Sequence, residues 1–392
     1  MKLYQELVNY LQTEISKYIN VCTELNDDLA DHPEISGQEY RSAGQIVELL
    51  RKRGFQVEYP YAGHETAFHG TFGTRKHAHQ VAILAEYDAL PELGHACGHC
   101  LSGSISVLAA MALVGLQDEL DVDIHIVGTP SEEISGAKCE MADAGIFDSY
   151  DLAMMVHLYD DNVVATRLLA VDTFLYTFHG KASHAANAPW CGDNALNGVQ
   201  LFFHAMDMLR QHVTTDVRMH GMIRNGGQAP NVVPEKASAE IYVRALNRAY
   251  LKDVVRKVED CAKGAALATQ TTWEMVRTSN HYDNLLENHS GMQVLQEVFE
   301  ELELTLSDEP DAIFGSSDIG NVSFRCPTFH PGLQVVPKST KIHTREFATA
   351  MKTEAAHEAL KQGAELISFF VAKVLCAPET LAAIQNEFQK SK

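Results

Sequence analysis

Two imidazoles and two thiols fall within six positions of the stretch Gly94-His95-Ala96-Cys97-Gly98-His99-Cys100. Thiolate and imidazole are the donors that zinc selects. A strand-like run over 80–86 precedes the cluster, and an apolar helical pattern opens at Leu101. The cluster therefore sits at the end of a strand and the mouth of a helix, where open α/β sheets carry their functional loops. Cys97-x-x-Cys100 also has the spacing of a redox pair, but the flanking histidines favour a metal. Further donors recur at expected strand ends: Glu132 and Glu133 in the turn 129–135, His157, and His343 in Lys341-Ile342-His343-Thr344. Adjacent carboxylates in a turn can divide their work, one binding metal while its neighbour serves as general base for an activated water. Asp88, just past the strand and close to Pro91, suits a carboxylate that orients a ligand imidazole.

Taken singly, each of these residues has a plainer explanation. An isolated Glu-Glu pair is two solvated acids, a lone histidine is a core or capping residue, and Asp88 is an ordinary turn aspartate. Their joint recurrence beside the Cys/His cluster is what points to a metal site. No H-E-x-x-H is present, nor any phosphate-binding glycine loop after a strand.

The elements that must position these residues are legible in outline. With 392 residues and 46% apolar composition, the chain can bury a large core, and its length favours two domains. Helical periodicity runs over 2–30, and Ser36-x-x-Glu39 has the form of a capping box opening a helix to about Arg53. Strands are expected over 55–59, 66–72, 80–86, 122–128 and 152–157, with a helix over 101–116, giving a βαβ pattern. After about Val163 the texture changes. Strands over 174–178, 217–223, 237–245 and 272–276 enclose helices over 193–210 and 251–268, the strand-helix-strand-strand-helix-strand order of a ferredoxin-like unit. A helix over 285–301, a loop rich in Ser and Asp over 311–320 and one long helix over 346–375 return to the first domain. The expected division is 1–170 and 283–392 for a catalytic domain and 171–282 for an inserted one.

A net charge of −21 argues against nucleic acid or an anionic membrane as main partner. The first fifteen residues mix charges into an amphipathic helix unlike a signal peptide, and no uncharged apolar run of membrane-spanning length is read. The eight cysteines are scattered apart from the 97/100 pair, the usage of a reduced, cytoplasmic enzyme.

Tyr87-Asp88-Ala89-Leu90-Pro91 followed by Gly94-His95-Ala96-Cys97-Gly98-His99 closely resembles the signature of one branch of the di-metal aminoacylase and carboxypeptidase-type amidohydrolases, a metallopeptidase superfamily. That branch includes aminobenzoyl-glutamate hydrolases, hydrolases of indoleacetyl amino acids, and relatives similar to dipeptidases acting on β-alanyl dipeptides. The resemblance continues through Thr129-Pro130-Ser131-Glu132-Glu133, Lys181-Ala182-Ser183-His184-Ala185-Ala186, the run 226–234, Ser317–Ser323 and His343. It implies an α/β fold with a mixed-sheet, di-metal exopeptidase-like catalytic domain and an inserted ferredoxin-like α+β lid that mediates a homodimer. It further implies Cys97, His99, Glu133, His157 and His343 as ligands of two divalent ions, zinc or manganese, and Glu132 as general base. His184 matches the lid histidine that stabilises the oxyanion, in its own or a partner's active site, and Asn231 a residue at the substrate's carboxylate end. Two departures stand out. Cys100 replaces the usual Asn or Asp, adding a thiol near the metals open to oxidation, and Phe324-Arg325 stands where many relatives have His, altering the pocket there.

The expected function is hydrolysis of the amide bond between an acyl or aminoacyl group and an amino acid. The alternatives are a dipeptidase acting on β-alanyl or other small dipeptides, or a non-catalytic metal-binding or regulatory protein on the same fold. A zinc-sensing or redox role at Cys97 and Cys100 would have no need of Glu132.

Overall fold

The structure, a computed structural model, describes residues 2–308 and 315–391. In chain order its elements are α1 (Lys2–Asp31), α2 (Tyr40–Lys52), β1 (Phe55–Glu58), β2 (Phe68–Phe72), β3 (His79–Ala85), α3 (His99–Leu113), α4 (Gln117–Leu120) and β4 (Val122–Gly128). There follow α5 (Ala137–Asp143), β5 (Leu152–Met154), β6 (His157–Tyr159), β7 (Ala170–His179), α6 (Ala195–Leu209), β8 (Arg218–Asn225), β9 (Lys236–Ala245), α7 (Arg248–Ala268) and β10 (Thr272–Arg277). The chain closes with α8 (His289–Glu301), α9 (Ile319–Ser323), β11 (Thr328–Phe329), β12 (Gly332–Gln334), α10 (Arg345–Ala350), α11 (Glu354–Leu375) and α12 (Pro378–Ser391). These elements form two compact units, Met1–Arg167 with Leu285–Lys392, and Leu168–Asn284.

The first unit is built on a six-stranded sheet of order β1-β2-β4-β3-β5-β11. Strands β4, β3, β5 and β11 are mutually parallel, while β1, β2 and β4 pair antiparallel, so the sheet is mixed. In β3 every residue from Val81 to Ala85 is buried, as a parallel strand covered on both faces requires. All fifteen residues of α3 are buried, and it packs against α1, α11 and β3. A helix apolar on every side belongs inside. Burying Leu101, Ile105 and Leu108 contributes about 1.5–3 kcal/mol each, anchoring the helix whose first residue is His99. At Gly103 the helix passes close to the end of β3: a Cβ there would stand 2.3 Å from the Glu86 carbonyl oxygen. By length and hydropathy the stretch His99–Leu120 would pass for a membrane span, but 89% of that window is buried within the protein.

The second unit is a four-stranded antiparallel sheet of order β10-β7-β9-β8 with α6 and α7 packed on it. In order of appearance the strands read 4-1-3-2, the ferredoxin-like arrangement inserted in the first unit. Its core is separate, with Phe174, Tyr176, Phe178, Phe202, Ile241 and Leu251 among its members.

Several elements differ from the sequence expectation. Ser36 and Glu39 do not form a capping box. Helix α2 starts at Tyr40, and its free amides are taken by Glu34, whose carboxylate accepts from Arg41 N (3.0 Å) and Ser42 N (2.6 Å). Ser36 and Glu39 instead turn inward, because partners distant in sequence satisfy them better than the helix end could. The run 152–157 is two strands, β5 in the large sheet and β6 paired with β12, divided at Met155–Val156. The long terminal helix breaks after Ala350, where Thr353 caps α11 by accepting from Ala356 N. Helix α8 begins at His289 behind an Asn288 cap, four residues later than its periodicity suggests. Short α5 and terminal α12 are additional. Of the loop expected over 311–320, residues 311–314 lie outside the described residues.

Candidate metal centre

Three loops and one strand start of the first unit converge. Strand β3 ends at Ala85 and delivers Glu86 and Asp88. The chain then turns through Gly98, which adopts φ +82°, so that Cys97 precedes helix α3 and His99 begins it. Strand β4 ends at Gly128, and Thr129 N donates to Ala85 O (2.8 Å), bringing the turn with Glu132 and Glu133 beside the β3 end. That turn is held from beneath by buried Glu39, which accepts from Ser131 N (2.9 Å), Gly37 N (2.6 Å) and Thr66 Oγ1 (2.9 Å). His157 opens β6, and His343 N donates to Ala96 O (2.8 Å), tying the distant C-terminal segment to the Cys97 loop.

The side chains meet as sets of donors. Cys97, His99 and His157 form one trio, and Cys97, Glu133 and His343 a second. His99, Glu132 and Glu133 form a third, and within each trio the ligand atoms lie within 4.8 Å of one another. The first two trios share the Cys97 sulfur, which is 2.8 Å from His343 Nε2. Both buried imidazoles offer Nε2, because their other nitrogens are engaged. His99 Nδ1 lies 2.9 Å from Asp88 Oδ1 and 3.1 Å from Asp88 O, and His157 Nδ1 lies 3.1 Å from Leu158 O. Asp88 Oδ2 also accepts from Ser36 Oγ (2.6 Å) and Glu133 N (3.1 Å), so one carboxylate braces an imidazole and the neighbouring turn together.

A metal fits this donor set. His99 Nε2 and Glu133 Oε1 are buried and make no hydrogen bond among the described residues, a costly state that a cation would relieve. The electrostatics agree. Burial, then the nearby Glu133, Glu86 and Asp318 charges, push the Glu132 carboxyl well above its usual range. Burial and then Glu133 and Glu132 do the same to the Cys97 thiol. Burial and the His99 charge lower His157 to about 3. His99 is held high by Glu86 and Asp88, although burial opposes this. A site so rich in negative charge is arranged for dications, and thiolate, imidazole and carboxylate are zinc-class donors.

His184 and Asn231 belong to the second unit. Both are exposed and adjacent: Ala185 N donates to Asn231 O (3.0 Å), and His184 bridges to Val232. His184 Nδ1 accepts from Ala186 N and Asn187 N at 3.2 and 3.1 Å, leaving Nε2 outward. The structure also places the two departures. Cys100 is fully buried in the hydrophobic core and belongs to none of the donor trios. Arg325 forms a two-pronged ion pair with Asp148 at 2.6 and 2.7 Å.

Sequence reasoning missed a set of buried charges under the centre. Lys138 Nζ donates to Glu86 Oε1 and Asp318 Oδ1, both at 2.6 Å, with all three side chains fully buried. No helix was expected at Ala137, and no spacing rule marks Lys138 as internal. His330, its ring 5.5 Å from that of His157, was likewise unmarked.

Known proteins resemble this chain over nearly its whole length. The model of peptidase family M20/M25/M40 matches residues 82–372. The chain is 33% identical over 373 residues to Xaa-Arg dipeptidase of Mus musculus, covering 91% of this chain and 86% of that protein. It is 26% identical over 464 residues to a p-aminobenzoyl-glutamate hydrolase chain of Escherichia coli, covering 98% and 95%. Among solved structures, a putative aminohydrolase from methicillin-resistant Staphylococcus aureus superposes with a TM-score of 0.79 at 19% identity, covering 94% and 99%. A dinuclear metal binding peptidase of Bacillus subtilis gives a TM-score of 0.72 at 18% identity, covering 92% and 99%. Paired donor trios sharing one sulfur, on a catalytic sheet with an inserted ferredoxin-like unit, thus accompany a family match over most of the chain: the protein belongs to peptidase family M20/M25/M40 and is a metal-dependent hydrolase of amide or peptide bonds.

Proposed function

We propose that the protein hydrolyses the amide bond joining an acyl or aminoacyl group to an amino acid. The observation that carries this reading is the placement of Glu132, a buried carboxylate, against the His99–Glu133 edge of two donor trios that share Cys97. Cys97, His99, Glu133, His157 and His343 would hold two divalent ions, zinc or manganese. When bound, these ions supply a water acidified toward neutral pH and a Lewis acid for the scissile carbonyl. Glu132 accepts the proton of the attacking water and returns it to the leaving amine. His184, through Nε2, donates to the developing oxyanion, and Asn231 binds the substrate's carboxylate end. Asp88 keeps His99 in the tautomer that offers Nε2. The assembly is a cytoplasmic homodimer through the inserted unit.

A second reading, cleavage of small dipeptides, is favoured by the higher identity to the mouse Xaa-Arg dipeptidase than to the bacterial aminobenzoyl-glutamate hydrolase. The two are separated by a panel of aminobenzoyl-glutamate, indoleacetyl and N-acetyl amino acids, β-alanyl dipeptides and dipeptides ending in arginine, each with added zinc or manganese. Glu132→Gln is expected to keep its metals and lose about 10²–10⁴-fold in kcat on whichever substrate is cleaved. Equal turnover by variant and wild type would remove Glu132 as the base. Metal uptake without cleavage of any amide would favour a binding protein.

A further inference from the structure

The buried charges beneath the centre have no part in the mechanism above, yet they lie against it. Glu86 follows directly on β3, Lys138 is the second residue of α5, and Asp318 precedes α9. Lys138 joins all three elements. Its ammonium reaches Glu86 Oε1 and Asp318 Oδ1 at 2.6 Å each, and its own backbone N–H donates to Asp318 Oδ2 at 3.0 Å. The turn carrying Glu132 and Glu133 runs straight into α5, so Lys138, five residues beyond Glu133, fixes the far end of that turn.

The second oxygen of Glu86 is the informative atom. It is buried and makes no hydrogen bond among the described residues, and it stands 3.3 Å from His99 Nε2, the nitrogen left free when Asp88 takes Nδ1. On that side its partner is the His99 imidazole, at ion-pair distance. Lys138 keeps the carboxylate there by compensating one oxygen while leaving the other directed at the donor nitrogen. Three fully buried charged groups carrying a net −1 are not a means of stabilising a core, since apolar residues of equal volume would serve as well or better. Their retention calls for an effect at the site they face.

We propose that Glu86, Lys138 and Asp318 form a positioning strut for the metal centre: Lys138 aims the free oxygen of Glu86 at the ligand nitrogen of His99 and locks the turn of the general base to the end of β3. The extra negative charge beside the Cys97–His99–His157 trio raises its affinity for a dication, and the locked turn holds Glu132 in line. None of the three touches substrate, so their loss should spare KM. This inference rests on the di-metal reading above.

The test uses the full-length chain, with cobalt(II) and zinc as probes, and the amide that the panel identifies. Glu86→Gln and Asp318→Asn each leave Lys138 paired with one carboxylate, so both variants should fold. Lys138→Met strands two buried carboxylates and is expected to lose stability as well, so the decision rests on the first two. Glu86→Gln should weaken cobalt binding at the His99 trio about 10–100-fold, the usual effect of removing a group that supports a ligand. It should also shift the cobalt absorption spectrum, and lower kcat with KM within about 2-fold of wild type. Asp318→Asn should lower kcat in the same KM-sparing way with a smaller loss of metal affinity. Glu86→Gln with wild-type cobalt affinity, spectrum and kcat would overturn the proposal, even if its melting temperature falls. A wild-type protein that takes up no metal or cleaves no amide would instead defeat the functional reading on which the strut rests.

Discussion

Replacing Asp88 by asparagine exchanges one oxygen for an amide nitrogen and should be felt at the metals. Asp88 Oδ1 faces His99 Nδ1 at 2.9 Å, and Oδ2 faces Ser36 Oγ at 2.6 Å and Glu133 N at 3.1 Å. An amide has one oxygen, so each orientation of the new side chain leaves an N–H opposite an N–H. With the oxygen toward His99, the amide nitrogen confronts Glu133 N–H. Turned the other way, it confronts His99 Nδ1–H and favours the tautomer that withdraws Nε2 from the metal. The Asp88 carbonyl, 3.1 Å from Nδ1, favours the first orientation, so the damage should pass mainly to the Glu133 turn. One buried donor left unsatisfied costs about 1–3 kcal/mol. If that cost appears on metal binding it is a loss of roughly 5- to 150-fold in affinity, in line with the 10–100-fold usual for such supporting groups. Titration of apo variant and wild type with zinc against a chromogenic chelator measures it, with kcat at saturating metal recovering most of the lost activity. An Asp88→Asn protein with wild-type zinc affinity would refute the reasoning, showing that loss of the acceptor for Glu133 N–H is not felt at the metals.

Two further outcomes are expected. Gly98→Ala places a side chain at φ +82°, with its Cβ 3.1 Å from Leu158 Cβ and 3.2 Å from Met351 Sδ. The left-handed conformation alone costs about 1–2 kcal/mol, so thermal melting should show lower stability and metal analysis reduced loading, Gly98 lying between two donors. In the inserted unit, Asp172 pairs with Arg277 (2.5 Å) and Arg248 (3.0 Å), and against the effect of burial these arginines hold its carboxyl below the usual range. Such a depressed group contributes stability that is full above its unfolded value of about 3.9 and is lost as pH falls through the folded value. The stability gap between wild type and Asp172→Asn in urea should therefore be widest near neutral pH and close below about pH 4. A gap independent of pH would show that Asp172 contributes nothing through its charge.

Much was readable from the chain alone, for identifiable physical reasons. Side chains with strong chemical individuality (Cys97, His99, the Glu132–Glu133 pair, His157, His343) mark themselves by type, and all but His343 lie at or just past runs that read as strands. Together these features singled out candidate donors scattered over some 250 positions, which the structure brings into trios within 4.8 Å. The ferredoxin-like order was legible too, its strands and helices being long and amphipathic. Local signals misled where long-range contacts were stronger. Ser36 and Glu39 read as a cap, yet Asp88 and the 131 turn claim them. Cys100 read as a thiol near the metals, yet on α3 it falls on the side packed into the core.

What the sequence offered by itself, then, was a set of candidate donors, marked by residue type and by the elements that carry them, and, through the resemblance of its motifs, a class of chemistry. Only the tertiary structure decided which groups face those donors from behind. Lys138 looks like any helix lysine, and Glu86 like the polar end of a strand. Their meeting with Asp318, 180 residues from Lys138 in the chain, depends on how β3, α5 and α9 pack, and no local pattern marks a charge that only folding buries.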